Sequence, residues 1–474
     1  MNLIFHIDVN SAFLSWTAIE RLRKDPSLDI RTIPAIIGGD EKSRHGVVLA
    51  KSISAKKYGI RTGEPVATAL RKCPFLHMEP PDHQLYRRRS HELMELLHTY
   101  TSDIEQVSID ECYLDFTPIC HLFEHSNLRS GNSIHTARHA ARLIADRIRN
   151  ELGFTVNIGI APNKLLAKMA SDFEKPDKVH TLFPEEIPSK MWPLPVSELY
   201  MVGHSSADRL VQLGIRTIGE LANTDPEFLQ QHFKSHGKLM WEYANGISDA
   251  PLNPDNHEAK GIGNSTTLAS DVTTAPDAKK VLLALAEQVA SRLRHAHQLA
   301  QTVTVEIKYN TFRSCSRQTQ LSIPAATSGT LYDCACRLFD ELWDGTPIRL
   351  LGIRTSKLVP EDTPVQLSLF NDGFLLDENS TSKTAPDSTA CPSLQKRSDT
   401  GISLQTTSAR NSAKTKTALK NKTSLNSDHI ALEKQKRLEA ALDQIRERYG
   451  KNAVIRGTFL HNTDNSSSDS PEKP

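Results

Sequence analysis

The chain has 474 residues and a formal net charge of +1, which is too long for one hydrophobic core and too evenly charged for a global basic field. Any contact with nucleic acid must therefore come from local clusters of Lys and Arg. No apolar run approaches the ~20 residues of a membrane span, the start lacks a signal-peptide pattern, and the seven cysteines are scattered without a zinc-type C-x-x-C pair; these features predict a multidomain cytoplasmic protein with reduced thiols, no structural zinc and no membrane contact.

Leu3 to Val9 reads as a buried strand and residues 11–24 as a helix, closed by Asp25-Pro26. Asp8 stands at the end of that strand, where a carboxylate is costly to bury unless it is paired or bound to a cation. The competing assignment is a strand-end Asp that caps the helix at 11. Further on, Ser108-Ile109-Asp110-Glu111-Cys112-Tyr113-Leu114-Asp115-Phe116 sets two adjacent acids inside a β-prone segment. Neighbours on a regular strand point to opposite faces, so Asp110 and Glu111 converge on one ion only where a tight turn falls between two strands. A hairpin tip is expected there. Asp8 and the Asp110-Glu111 pair, each beside an apolar strand, would then form an oxygen-rich site suited to Mg²⁺.

Residues 137–152 form a helix with Ala141, Ile144, Ala145 and Ile148 on one side, Thr155 to Ile160 a strand, and 163–172 another helix, so strands and helices alternate around one core. Residues 196–225 carry Val202-Gly203, Leu213-Gly214-Ile215 and Thr217-Ile218-Gly219. This is a helix-hairpin-helix pattern, whose turn suits phosphate binding without reading sequence, with a pure packing role as the alternative. After Pro254 a separate α+β unit begins, with a helix near 276–298 and the alternating strand Val303, Val305, Ile307, Tyr309. Residues 375–428, dominated by Ser, Thr, Asn, Lys and Ala, read as a disordered linker. Beyond it Leu438, Leu442, Ile445 and Tyr449 form the stripe of an amphipathic helix over 430–448, for which a second docking peptide is the working hypothesis.

Three strings, His6-Ile7-Asp8-Val9-Asn10-Ser11-Ala12-Phe13, Ser108-Ile109-Asp110-Glu111 and Ile160-Ala161-Pro162-Asn163-Lys164-Leu165-Leu166-Ala167-Lys168, together resemble the Y-family translesion DNA polymerases of the bacterial polymerase IV and UmuC-like type. The resemblance runs in register over roughly residues 1–370. It implies an α+β multidomain right hand: a palm over 1–172 with fingers inserted at about 24–75, a thumb with the helix-hairpin-helix over 173–245, a linker at 246–259 and a little finger over 260–360. A clamp-peptide region at 361–374, the linker at 375–428 and a helix and tail over 429–474 would follow.

By the same resemblance, Asp8 and Asp110 bridge two Mg²⁺ ions, Glu111 helps to hold the ion at the primer, and the Val9 carbonyl serves the ion at the nucleotide; Mn²⁺ may replace Mg²⁺. Phe13 matches the steric gate that excludes a 2′-hydroxyl. Backbone groups of Ser11, Ala12 and Phe13, together with Lys164 and Lys56, would hold the triphosphate of the incoming deoxynucleotide. Lys168 is expected on the solvated side. Lys56 stands where the family usually has Arg, Ile53 replaces the usual Tyr and Ala50 the usual Thr, so two hydroxyls and a bidentate fork are missing from the clamp on the triphosphate.

Lys308, Arg313, Arg317, Arg349, Arg354 and Lys357 would grip the backbone of primer-template DNA in a salt-sensitive, sequence-independent way. Gln366-Leu367-Ser368-Leu369-Phe370 resembles the peptide that binds the bacterial sliding clamp, with Gln366, Leu367, Leu369 and Phe370 as anchors, and tethering would supply processivity. The implied reaction is template-directed, error-prone DNA synthesis past damaged bases. Two other readings fit part of the pattern: a nucleotide cyclase or other palm-like enzyme, and a catalytically silent scaffold that binds DNA and clamp. The resemblance leaves open which lesions are bypassed and whether an accessory subunit is needed.

Overall fold

The computed structural model describes residues 1–39, 46–123, 133–254, 259–364, 434–450, 453–454 and 457. Gln366, Leu367, Leu369 and Phe370 and the 375–428 linker lie outside the described residues. The chain divides into two units, Met1–Glu258 and Ala259–Pro474. No described helix is long and apolar enough to cross a membrane.

The first unit opens with β1 (Ile4–Val9) and α1 (Ala12–Lys24), then β2 (Ala35–Gly38), β3 (Val48–Lys51), α2 (Ile53–Lys57), α3 (Val66–Lys72) and β4 (His77–Glu79). Strands β2, β3 and β4 make a small three-stranded sheet in the order β3-β2-β4, with its own core of Ile36, Val48, Ile60, Val66 and Leu76. There follow α4 (His83–His98), β5 (Ile104–Gln106), β6 (Glu111–Asp115), α5 (Ser133–Leu152), β7 (Val156–Ala161), α6 (Lys164–Asp172) and β8 (Val179–Thr181). The five strands β5-β6-β1-β7-β8 form the main sheet, with β1 central and antiparallel to both neighbours.

The alternation of side chains along a strand sorts this sheet into two faces. Phe5, Ile7, Val9, Cys112, Leu114, Val156 and Ile158 join the core under α1, α4 and α5. Ile4 and Tyr113 belong instead to a second core shared with α6, and so His6 and Asp8 fall on the α6 side. Helix α6 lies hard against this face because β7 carries Gly159, where a Cβ would stand 2.0 Å from the Ala167 carbonyl oxygen and 2.5 Å from the Ser171 nitrogen. Only a residue without a side chain permits that approach.

The second core continues without a break into α7 (Ile187–Lys190), α8 (His204–Gln212), α9 (Ile218–Ala222), α10 (Pro226–Phe233) and α11 (Ser235–Ala244). The expected boundary at 172/173 therefore cuts a packed core, because α6 buries residues on nearly every side, Leu165, Leu166, Ala167, Met169 and Ala170 among them. Helices α8 and α9 are joined through Gly214 at φ +88°, a conformation that favours glycine, and Thr217 caps α9 in a capping box with Glu220.

The second unit comprises β9 (Gly261–Val272), α12 (Ala275–His295), β10 (Gln298–Tyr309), β11 (Ser314–Ala325), α13 (Ser328–Leu342) and β12 (Ile348–Pro360). Its antiparallel sheet runs β11-β10-β12-β9. Val303, Val305, Ile307 and Tyr309 point into the core beneath α12 and α13, as the alternation predicts. A further helix, α14, spans 434–449.

Candidate active site

The main sheet brings the three acids together through its hydrogen-bond ladder. Asp8 pairs across the sheet with Glu111, and the Val9 N–H donates to the Asp110 carbonyl at 3.0 Å. Asp110 sits in the turn between β5 and β6, and the N–H groups of Val107 and Ser108 donate to the Glu111 carbonyl at 3.1 and 3.2 Å. The expected hairpin tip is present, which removes the difficulty that adjacent residues on a regular strand face apart. Asp8 does not cap α1: the residue at the cap is Ser11, left-handed at φ 49°, and no side chain caps that end.

Electrostatics at this edge call for a cation. Burial raises the Asp110 carboxyl above its ordinary value; a 2.7 Å bond from the Ser108 hydroxyl lowers it, and the charges of Asp8 and Glu111 raise it again. The Lys168 ammonium holds the Glu111 carboxyl below its ordinary value against the opposing effect of burial. Two ammonium groups answer the acids. Lys168 donates to Glu111 at 2.8 Å, and Lys175 pairs with Asp8 and, at 2.8 Å, with Asp172. Among the described residues no group of three or more His, Cys, Asp or Glu side chains forms a ready-made metal cage.

His6 was legible only as part of a motif, and the structure gives it a position of its own. It is fully buried, which lowers its pKa and favours the neutral ring, with Nδ1 2.8 Å from the Ser171 hydroxyl and Nε2 3.3 Å from the Glu111 carboxylate without an aligned hydrogen bond. Lys175 was missed altogether, because it lies past the end of α6 where helical spacing gives no guide. Lys168, expected in solvent, faces the acids. Lys164, expected at the triphosphate, is engaged elsewhere: its ammonium donates to both oxygens of Glu105 on β5, at 2.8 and 2.7 Å, and lies over the Tyr113 ring.

Phe13, in the first turn of α1, lies flat on Tyr86 of α4, ring centroids 4.2 Å apart and planes 6° apart, with the edge of His83 and the tilted ring of Trp16 beside it. Tyr86 is fully buried, and its hydroxyl is 3.2 Å from that of Thr17. The gate candidate is thus a braced ring. Lys56 is exposed on α2. Its charge, after burial, depresses the ammonium of neighbouring Lys51, which donates to Thr62 at 3.1 Å. Lys51 is a second cation of that small sheet which the sequence did not single out.

In the second unit, two of the candidate DNA-gripping side chains are held by acids, Arg313 by Asp344 at 2.5 Å and Arg317 by Glu341 at 2.9 Å. Lys308 and Arg349 both lie over the exposed ring of Phe312, at 5.3 and 4.8 Å. Arg354 lines a shallow concavity on the sheet with Gly263, Asn264, Thr304, Glu306 and Ser316.

Residues 7–172 match the impB/mucB/samB family, residues 259–369 that family's C-terminal domain, and residues 184–215 the HHH motif of the IMS family. The chain is 48% identical over 370 residues to the DNA polymerase IV of Clostridium acetobutylicum, a match covering 78% of this chain and 90% of that protein. It is 37% identical over 371 residues to DNA polymerase IV 1 of Bacillus subtilis, covering 78% of this chain and 85% of that one. A solved chimeric Y-family DNA polymerase superposes with a TM-score of 0.64 over 76% of this chain and 99% of that chain, at 21% identity, a likeness of fold.

Proposed function

The chain belongs to the impB/mucB/samB family and is a Y-family DNA-directed DNA polymerase of the polymerase IV type; from that premise we propose that it extends a primer 3′ end by two-metal phosphoryl transfer at Asp8, Asp110 and Glu111, and copies past damaged template bases. Primer-template DNA and deoxynucleoside triphosphates are the substrates of this class, and divalent metal its requirement. The observation that carries the reading is the ladder that pairs Asp8 with Glu111 and ties Val9 to Asp110.

These donors suit Mg²⁺: they are all oxygen, from three carboxylates and the Val9 carbonyl, and they already attract two ammonium groups. Bound there, a pair of such ions would activate the 3′-hydroxyl and neutralise the triphosphate. The protein's own groups do the rest. Lys168 keeps Glu111 ionised through its hydrogen bond. Lys175, rather than Lys164, is the lysine assigned to the triphosphate, because its ammonium already sits at the acids and gains a phosphate partner when it leaves Asp8. The uncapped first turn of α1, at Ser11, Ala12 and Phe13, offers backbone N–H groups to the same anion. Lys56 contributes a point charge without a bidentate fork, and Phe13 excludes a 2′-hydroxyl.

Gln366, Leu367, Leu369 and Phe370 are assigned to a sliding clamp, on their sequence and on their position after the last strand of the second unit. Low fidelity and independence from an accessory subunit are expected for an enzyme of this type. The silent-scaffold reading is not favoured, since all three acids are in place.

The test is primer extension by the purified chain with Mg²⁺ on intact and abasic templates, beside a variant carrying Asp110→Ala and Glu111→Ala. Extension that vanishes in the variant, with synthesis across the abasic site, supports the reading. No extension by the wild type, even with Mn²⁺ and added clamp, overturns it.

A further inference from the structure

Helix α14 lies beyond residue 369, where the matched C-terminal family domain ends, so the family does not account for it. An amphipathic helix ordinarily docks by its apolar stripe. This one does the reverse. Of its stripe, Leu438, Ile445 and Tyr449 are 60%, 39% and 68% exposed and Leu442 is half-buried, whereas Glu439 and Asp443 are 5% and 8% exposed.

Burying two carboxylates is unfavourable unless each is paired and its remaining lone pairs are bonded. On the face formed by α12 and α13 both carboxylates are paired, and Glu439 has both its oxygens bonded, while Asp443 keeps one buried oxygen without a hydrogen bond. Arg294 of α12 reaches Asp443 through Nε and an amino nitrogen, at 2.8 and 2.7 Å, and reaches Glu439 through its other amino nitrogen. Glu439 also accepts from the Ser328 N–H at 3.1 Å and from the Ser328 hydroxyl at 2.6 Å. Ser328 opens α13, and the side chain of Thr327, the residue at that cap, bonds the Thr330 hydroxyl and makes no bond to the helix backbone. The carboxylate from α14 therefore supplies the missing N-terminal acceptor from elsewhere in the chain.

Two turns back along α12, Glu287 meets Arg446 at 3.3 Å. Helix α14 thus runs antiparallel to α12, acids on Arg294 and base on Glu287. Sliding it along the groove brings acid toward Glu287 or Arg446 toward Arg294, so the charge order fixes the register as well as the attraction.

We propose that the α12/α13 face is a docking site for this chain's own C-terminal helix, which acts as an ion-paired latch. The chain leaves the domain after β12, where the Glu361 N–H donates to the His297 carbonyl at 3.0 Å just beyond α12. It is anchored again by Glu439 and Asp443 at Arg294, one turn from that same end. The docking itself rests on these contacts alone and not on the clamp assignment.

Hydrogen exchange of the full chain tests it. In the wild type the amides of 434–449 and the Ser328 amide should exchange at least about tenfold more slowly than in a variant carrying Glu439→Gln and Asp443→Asn, with α12 and the sheet unchanged. A chain ending at residue 428 should lose the Ser328 protection, and a synthetic peptide of residues 430–450 added in trans should restore it. Exchange of 434–449 at the unstructured rate in the wild type, equal protection in the double variant, or no rescue by the peptide would each overturn the latch.

Discussion

The imidazole of His6 points its two nitrogens at Ser171 and Glu111, and the Ser171 hydroxyl decides which nitrogen carries the proton. That hydroxyl has one hydrogen and donates it to the Lys168 carbonyl at 2.8 Å. It can only accept from His6, at 2.8 Å, so Nδ1 is the donor and Nε2 faces Glu111. In the neutral ring that burial favours, the bare Nε2 thus meets the Glu111 carboxylate acceptor to acceptor, an arrangement that a cation beside them would relieve, so His6 acts on the proposed metal site indirectly, through Glu111. His6→Ala should weaken metal binding by about 10- to 100-fold, the range for groups that orient a ligand. Mn²⁺ titration followed by electron paramagnetic resonance reads this directly. Unchanged Mn²⁺ affinity would show that Glu111 needs no such support.

Phe13 rests on Tyr86 across a 4.2 Å centroid separation. Phe13→Val should raise insertion of ribonucleotides relative to deoxynucleotides by about a hundredfold, near 3 kcal/mol of lost exclusion. Tyr86→Leu leaves the gate in place but unbraced, so a smaller rise of about tenfold is expected, with deoxynucleotide insertion changed only a few-fold. Single-nucleotide insertion kinetics decide between braced and free gates, and identical discrimination in Tyr86→Leu and wild type would remove the brace from the account.

Lys175 and Lys164 should separate cleanly. Lys175→Ala is expected to raise the KM for the incoming nucleotide by about tenfold or more, one lost ammonium-phosphate contact. Lys164→Ala should leave that KM alone and lower stability by about 1–3 kcal/mol, because Glu105 loses its partner in a mostly buried pair. The reverse pattern would return the triphosphate to Lys164.

Gly159→Ala should be among the most damaging single changes in the chain. Its new methyl would meet the backbone of α6 at 2.0 Å, and neither strand nor helix backbone can yield as a flexible side chain does, so a loss above about 3 kcal/mol is expected. Gly59→Ala is the control: it has open space but φ +71°, and should cost only about 1 kcal/mol. Thermal melting of the two variants tests the contrast, and near-equal losses would mean that α6 is not seated as tightly as described.

The acids could be read from the sequence because catalysis with metal needs particular residue types at strand ends, and apolar runs mark strands. Asp8, Asp110 and Glu111 needed only a hairpin between β5 and β6 to meet, and turn chemistry supplied it. Lys175 and the true surroundings of Lys164 were hidden, since which lysine turns inward depends on how closely α6 seats on Gly159, a tertiary fact. Tyr86 was invisible for a similar reason: its ring reaches Phe13 across a gap of more than seventy residues in sequence. Helix α14 was legible as a helix, but its apolar stripe pointed to the wrong face. Two acids on one arginine left three of the stripe's four apolar side chains exposed, an outcome that hydrophobic periodicity alone does not weigh.

The lysines at the acids also bear on the order in which ligands arrive. With Lys168 and Lys175 already seated on Glu111 and Asp8, filling the proposed site becomes an exchange of cations. Displaced by a divalent ion alone, Lys175 would keep Asp172 but lose Asp8; displaced by one that comes on a triphosphate, it would gain a phosphate in place of Asp8. Such a centre would hold bare ions weakly and the metal-nucleotide complex well, and would stay discharged, with its acids satisfied, through the intervals between substrates.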